Sequence, residues 1–420
     1  MNSQTKLGIF YFSNDQHYHS KERERWLPEL LALGISWLVL TNEKLIAIPE
    51  PFIEALIENG ITPVIRLGNI AISPKPSPEF ELLVRTYSQW GVQYLQLFDR
   101  PNLSSFWGSK SWVNAQLVER FIDLFLPYAE ILIKYRIQPI FPCLEVAKGF
   151  WDTSFLRLAL QSIVRRRHQW LLEKLILSAY VDLYDLSRPL SWGAGGQERW
   201  PNAKPYQFSP NTEDQRGLYI ADWYETIAKA AVDKPLPIIL FDDPIKQPVR
   251  VPEPEVTQRT LQVIQRLLDV PADETHAIEG SLSEPLAAEI LCLNFCPLVI
   301  EGRESDPRAW YSPNGQPKAV ADLIRSYCNQ KGLNRTPNHS LSHALLLPQL
   351  EASHLHRELE KLKPFIMHYQ PTIVFSLSEA LKAKHVWLPE GLVKLAEPEL
   401  AELENHGCVI HPLNPTGMSI

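Results

Sequence analysis

One pattern dominates this sequence: a short apolar segment, then an amphipathic stretch, then a glycine, repeated along the first three quarters of the chain. Leu7–Phe12 reads as a strand, and the following helix carries apolar Trp26, Leu27, Leu30 and Leu31 on one face before stopping at Gly34. The succession helix, glycine, then Ile or Val opening a strand occurs at Gly34–Ile35, Gly60–Ile61 and Gly91–Val92, where glycine supplies the left-handed residue that closes a helix. About eight such strand–helix units follow one another up to Arg325. Strands buried on both faces and separated by helices form a parallel sheet, and eight in order close into a (β/α)8 barrel. An open doubly wound sheet needs a glycine fingerprint directly after its first strand. The one glycine cluster, Gly193–Ala194–Gly195–Gly196, stands in mid-loop after Trp192 and reads as loop flexibility.

Residues 331–343 are polar and turn-rich, a linker between the barrel of residues 1–330 and a second α/β pattern in residues 344–420. The fold class expected is therefore a (β/α)8 barrel followed by a small open α/β domain. At 420 residues the chain has room for both.

A net charge of −7 leaves no basic excess for nucleic acid, and the run Arg165–Arg166–Arg167–His168 reads as a solvated helix face. Five dispersed cysteines fit reduced thiols, and Cys292 and Cys296 lack a second pair at zinc spacing. No apolar run approaches a membrane span, and the start of the chain is unlike a signal peptide, so a soluble cytoplasmic protein is expected. No cofactor is expected.

The active site of such a barrel lies at the C-terminal ends of its strands. Aromatic residues crowd the segments after those ends: Phe98, Trp107, Trp151, Tyr180, Trp192, Trp200, Tyr206 and Trp310 among them. Apolar sugar faces pack on such rings, so carbohydrate or a glycoconjugate is the expected ligand; packing of the long loops is the alternative. His17–Tyr18–His19 has the spacing of a metal-ligand pair, but the later strands supply no matching ligands, so no metal site is expected. No serine sits in a Gly-x-Ser-x-Gly setting, which leaves acyl transfer without a nucleophile elbow.

The strings Leu30–Trp37, Tyr94–Asn102 and Pro237–Asp242 resemble the corresponding strands of retaining glycoside hydrolases with catalytic glutamates on strands four and seven, the β-xylosidase-like barrels in particular. In that family strand four ends Asn-Glu-Pro, the Glu being the acid/base, and strand seven ends on the nucleophilic Glu. Carried over by position, Asp99 stands for the Asn, Arg100 for the acid/base and Asp242 for the nucleophile, while Pro101 is kept. A guanidinium holds no exchangeable proton near neutrality, and Asp is about 1.5 Å shorter than Glu where geometry must hold to about an ångström. Retaining hydrolysis needs two carboxyl groups about 5–5.5 Å apart.

The resemblance therefore implies a carbohydrate-binding or scaffolding barrel without the standard mechanism, with Arg100, Asp243 and the rings above as ligand contacts. Arg100 is expected to reach across to Asp242 or Asp243. The alternative is an active glycosidase whose acid has moved to Asp99 or Glu145 and works with Asp242; Glu301 and Glu304 are further carboxylates after strand eight. The C-terminal domain is expected to engage a protein partner.

Overall fold

The computed structural model describes residues 5–68, 70–146, 148–199, 217–243, 251–268, 286–301, 306–339 and 341–414. They divide into two compact units, one of residues 1–23 and 33–333, the other of residues 24–32 and 334–420.

In the first unit the strands are β1 (Leu7–Phe10), β2 (Trp37–Asn42), β3 (Thr62–Leu67), β4 (Tyr94–Gln96), β5 (Gln138–Ile140), β6 (Leu177–Val181), β7 (Ile238–Asp242) and β8 (Ile290–Phe295). They form one parallel sheet in the order β5-β4-β3-β2-β1-β8-β7-β6. A parallel bridge between Ile140 and Ile176 joins its two outer strands, with Phe141 N donating to Ile176 O at 2.8 Å. This is the (β/α)8 barrel expected from the repeat. Its interior is filled by Phe10, Val39, Val64, Ile140, Ile176, Ile239, Phe241 and Cys292, all fully or nearly fully buried, so the barrel has a packed core with no channel. The three helix-closing glycines adopt the left-handed conformation their position requires, with φ of 68° at Gly34, 69° at Gly60 and 83° at Gly91.

Several strands stop short of the apolar runs that carry them: β1 ends at Phe10 where the run Leu7–Phe12 was expected, and the runs Tyr94–Phe98 and Gln138–Leu144 are likewise cut short. The β4 ladder stops at Gln96, two residues before Phe98, because Phe98 (φ 62°) and Arg100 (φ 47°) turn the chain into the left-handed region. The β5 ladder stops at Ile140, four residues before Leu144. Both shortenings free the residues after the strand to turn into the barrel mouth. The run Arg165–Arg167 lies on a solvated helix face as expected, with Arg165 and Arg167 exposed, and it carries surface ion pairs: Arg165 and Arg166 pair with Glu119, and Arg166 reaches Asp123 at 2.5 Å.

In the second unit β9 (Leu341–Leu346), β10 (Thr372–Val374), β11 (Ala383–Pro389) and β12 (Val409–Leu413) make a four-stranded parallel sheet in the order β10-β9-β11-β12. One face packs Leu345 and Leu347 on Leu362 and Phe365 of helix Ala352–Tyr369; the other buries Ala344, Leu346, Val386 and Leu403. Within this unit Arg335 N donates to Leu31 O at 3.0 Å.

Candidate functional site

The mouth of the barrel is organised around the guanidinium of Arg100. Its backbone is pinned first: Arg100 N donates to Cys143 O at 2.9 Å, and Leu103 N donates to Arg100 O at 3.0 Å. From this turn the side chain meets three carboxylates at once. Nε donates to Glu145 Oε2 at 2.7 Å, Nη1 to Asp99 Oδ2 at 2.6 Å and Nη2 to Asp243 Oδ2 at 2.5 Å. The guanidinium carbon lies 4.2 Å from the centre of the Tyr180 ring, a stacking geometry that suits a planar cation. Arg100 therefore joins residues that follow β4, β5 and β7 over a tyrosine of β6.

A second arginine completes the network. Arg66, on β3, places Nη2 at 2.8 Å from Asp99 Oδ2 and 2.5 Å from Tyr180 OH. Tyr180 in turn donates to Asp99 Oδ1 at 2.9 Å. With Lys148 Nζ at 3.5 Å from Glu145, the cluster balances three cations against three carboxylates. Burial pulls the Arg100 pKa down, but Tyr180, Asp99 and Asp243 outweigh it and the net direction is up. Burial pushes the Tyr180 phenol well above its ordinary value against the opposing pull of Arg66, so Tyr180 stays a neutral donor.

Two supports hold the carboxylates in place. Asn102, fully buried, accepts from Glu145 N at 2.9 Å through Oδ1 and donates through Nδ2 to the carbonyls of Glu145 (2.8 Å), Lys148 (3.2 Å) and Phe150 (2.9 Å). Arg308 and Asp306 form an ion pair with no exposed side-chain surface (3.0 Å), and Arg308 Nη1 donates to Asp243 O at 3.0 Å. Asp242, by contrast, is 2% exposed and its Oδ2 accepts from Cys296 N at 3.2 Å. Asp242 is thus directed at the buried backbone of β8's end, whereas its neighbour Asp243 meets Arg100.

Arg100 thus meets Asp243 as expected from its length, together with Asp99 and Glu145, and these four residues form one network. The aromatic residues divide. Trp310 has no exposed surface, Phe98 is packed edge-on against Phe106, Phe121 and Tyr128, and Trp151 is buried, so these three rings pack the structure and offer no face to a ligand. Trp107 and Trp192 are half-buried; Arg120 lies over the first at 4.7 Å and Arg188 over the second at 4.8 Å. Trp192 lines a shallow recess, with an enclosed volume of about 20 Å³, together with Asp182, Asp185, Arg188 and Arg259, just past the end of β6. His17 stacks on Phe12 and pairs with Glu301 at 3.1 Å, while Asn14 donates to the other oxygen of Glu301, so Glu301 stands apart from the Arg100 network. Trp200, Tyr206 and Glu304 lie outside the described residues.

Arg66, Asn102 and the Asp306–Arg308 pair were missed by sequence reasoning. Arg66 did carry a signal: it is the one charged residue in the otherwise apolar strand Thr62–Leu67, and a lone charge in a buried strand needs a partner. Among the described residues no group of three or more His, Cys, Asp or Glu side chains is arranged to hold a metal ion. No described helix is long and apolar enough to cross a membrane.

The chain matches no family model and no curated protein. Similar solved structures include a glucosidase from Croceicoccus marinus, at 11% identity and TM-score 0.47 over 77% of this chain and 67% of that one. A GH39 β-xylosidase from Caulobacter crescentus aligns at 12% identity and TM-score 0.44 over 79% and 72% of the two chains. A GH128 endo-β-1,3-glucanase from Sorangium cellulosum aligns at 12% identity and TM-score 0.41 over 76% and 98%. The barrel is established by its own strand pairing, and the activities in those names belong to those proteins.

Proposed function

We propose that this chain is a glycoside-hydrolase-like barrel that binds a carbohydrate or glycoconjugate without cleaving it, with the second unit as a module for a protein partner. The observation that carries this reading is the Arg100 guanidinium, held by Asp99, Glu145 and Asp243 together. A retaining site keeps one carboxyl group protonated to deliver a proton and the other free to attack, with the glycosidic bond between them. Here each of the three carboxylates receives a guanidinium N–H, and the space among them is filled by a group with no proton to exchange. Asp242, turned to the wall, adds no nucleophile.

The recess beside β6 supports the binding half of the proposal. It combines one half-buried indole, with Arg188 over its ring, with two carboxylates and a second guanidinium group, a set that offers a sugar ring an apolar edge and hydroxyl partners in a shallow, solvent-open recess.

The test is a screen of chromogenic glycosides and a glycan array on one preparation of the full chain. Glycan binding that weakens in Trp192→Ala, with no turnover of any glycoside, supports the proposal. Hydrolysis that disappears in Asp242→Asn establishes instead a glycosidase with a relocated acid. Neither binding nor turnover leaves the barrel a structural scaffold and removes carbohydrate from the account.

A further inference from the structure

Three histidines stand side by side on one face of the sheet in the second unit. His343 of β9 is the register partner of His385 of β11, and their rings stack at 4.9 Å. His385 Nδ1 lies 3.0 Å from His411 Nε2 of β12, the next strand. Trp387 locks the row from one side, its indole stacked on His411 at 4.3 Å while its Nε1 donates to His343 Nδ1 at 3.2 Å. Tyr369, the last residue of helix Ala352–Tyr369, covers the row from above, 5.6 Å from the His343 ring and 4.9 Å from that of Trp387.

These bonds fix the protonation states that hold the row together. His343 Nδ1 accepts the indole N–H, so that nitrogen carries a lone pair. The His385–His411 bond needs a proton on one nitrogen and a lone pair on the other, and it is lost when both imidazoles are protonated. The other titratable and charged groups around the row are Tyr369, which contacts His343, with His368 packed against it at the end of the covering helix, and Lys384 and His339, whose charges act on His385. Among the described residues no carboxylate pairs with any of the three histidines, so protonation gathers positive charge with nothing to offset it.

We propose that the His343–His385–His411 row is a proton-operated latch on β12: neutral, it ties this edge strand to β11 and β9, and when charged it releases the strand. The edge position makes the release local, because β12 pairs with β11 alone. Burial, with His343, His411 and Lys384 added, holds the His385 pKa below its ordinary value of 6.5. The sign follows: between the lowered value and 6.5 the unfolded chain binds more protons than the folded one, so the latch is fully closed above pH 6.5 and weakens as the pH falls through that window.

The experiment is hydrogen–deuterium exchange of the full chain at pH 7.5 and pH 5, corrected for the intrinsic pH dependence of exchange and read on peptides covering β12 and, as reference, β1 to β3. Protection of β12 amides is expected to fall by up to about tenfold for each unit by which His385 is depressed, while the reference strands change little. His411→Gln, which is neutral at both pH values, should show no acid-dependent loss. Should that variant already expose β12 at pH 7.5, His343→Gln supplies the reading, since it removes one cation and leaves the His385–His411 bond. Wild-type protection of β12 that does not change with pH, or an acid response in His411→Gln as large as that of the wild type, overturns the latch.

Discussion

Arg100 Nη2 and Asp243 Oδ2 lie 2.5 Å apart across the barrel mouth, although 143 residues separate them in sequence. The contact joins the segment after β4 to the segment after β7 and places one cation among three carboxylates that would otherwise face one another. Arg100 does this from a left-handed backbone position (φ 47°), a conformation a long side chain adopts only when its surroundings hold it there. The turn, the three carboxylates and the tyrosine beneath are therefore one structural element.

Arg100→Met keeps the length of the side chain but removes every one of these bonds, leaving Asp99, Glu145 and Asp243 to repel one another. Breaking a buried ion pair from one side costs about 3–5 kcal/mol, and partial solvent access reduces this to about 2–3 kcal/mol here. Urea denaturation at pH 7 should show that loss. Arg100→Lys should recover little, because one ammonium cannot meet three carboxylates in the plane of the guanidinium.

The loop that presents Glu145 depends on a residue that touches no ligand group. Asn102→Ala removes four hydrogen bonds between a fully buried amide and the backbone of Glu145, Lys148 and Phe150. The expected cost is about 2–4 kcal/mol, since buried backbone groups are left unpaired. Proteolysis should then cut first within residues 145–150. Gly149→Ala should act in the same place: its φ is +60°, and an added Cβ would lie 2.2 Å from Asn102 O.

The sequence made the barrel readable because its grammar is local. Each strand is an apolar run and each helix has its own stripe and glycine stop, so the eight units and the later α/β pattern could be parsed without knowing what touches what. Partner choice is a different kind of information. That Arg66 meets Asp99, or that Arg308 meets the backbone of Asp243, depends on where the closed sheet brings strands together, and nothing within either segment states it. The aromatic residues show the limit from the other side. Trp107, Trp192 and Trp310 look alike in sequence, yet two are half-buried at the rim and one is sealed against Phe295. The histidine row was hidden for the same reason: His343, His385 and His411 become neighbours only through the register of three parallel strands.

All five cysteines are free and buried, and burial pushes their thiols up, to about 12 at Cys143 and about 11 at Cys328 and Cys408. The reactive species is the thiolate, so the native protein should give no fast reaction with a disulfide reagent at pH 8. In denaturant all five should react. A rapid native reaction of even one thiol would place it in an opening region.

Glu119 ties the basic run to the barrel's helical layer and gives it a pH signature. Burial pushes its pKa up, but Ser162, Arg165 and Arg166 outweigh burial and bring it below its ordinary 4.5. A depressed carboxylate adds stability that is present above the unfolded value and is lost as pH falls through the folded one. The side chain is about a quarter exposed, so the contribution is at most about 1 kcal/mol. Unfolding free energies measured from pH 6 down to pH 3 should therefore fall less steeply in Glu119→Gln than in the wild type.

Arg100→Glu tests the proposed function by placing a carboxyl group at the position where the resemblance to retaining glycosidases would expect an acid. The expected outcome is a destabilised protein with no glycosidase activity, for two reasons. Four carboxylates would then crowd the mouth, with only Arg66 and Lys148 to compensate them. Asp242 would also be poorly placed to attack a substrate, because it is 2% exposed, accepts from Cys296 N, and is a methylene shorter than Glu. Asp242→Glu added to Arg100→Glu extends the reach but places the larger side chain against the buried wall, where overpacking costs about 1–3 kcal/mol. Turnover of an aryl glycoside by the single variant would show that Asp243 or Glu145 can attack once the guanidinium is gone, and that the mouth still admits a substrate.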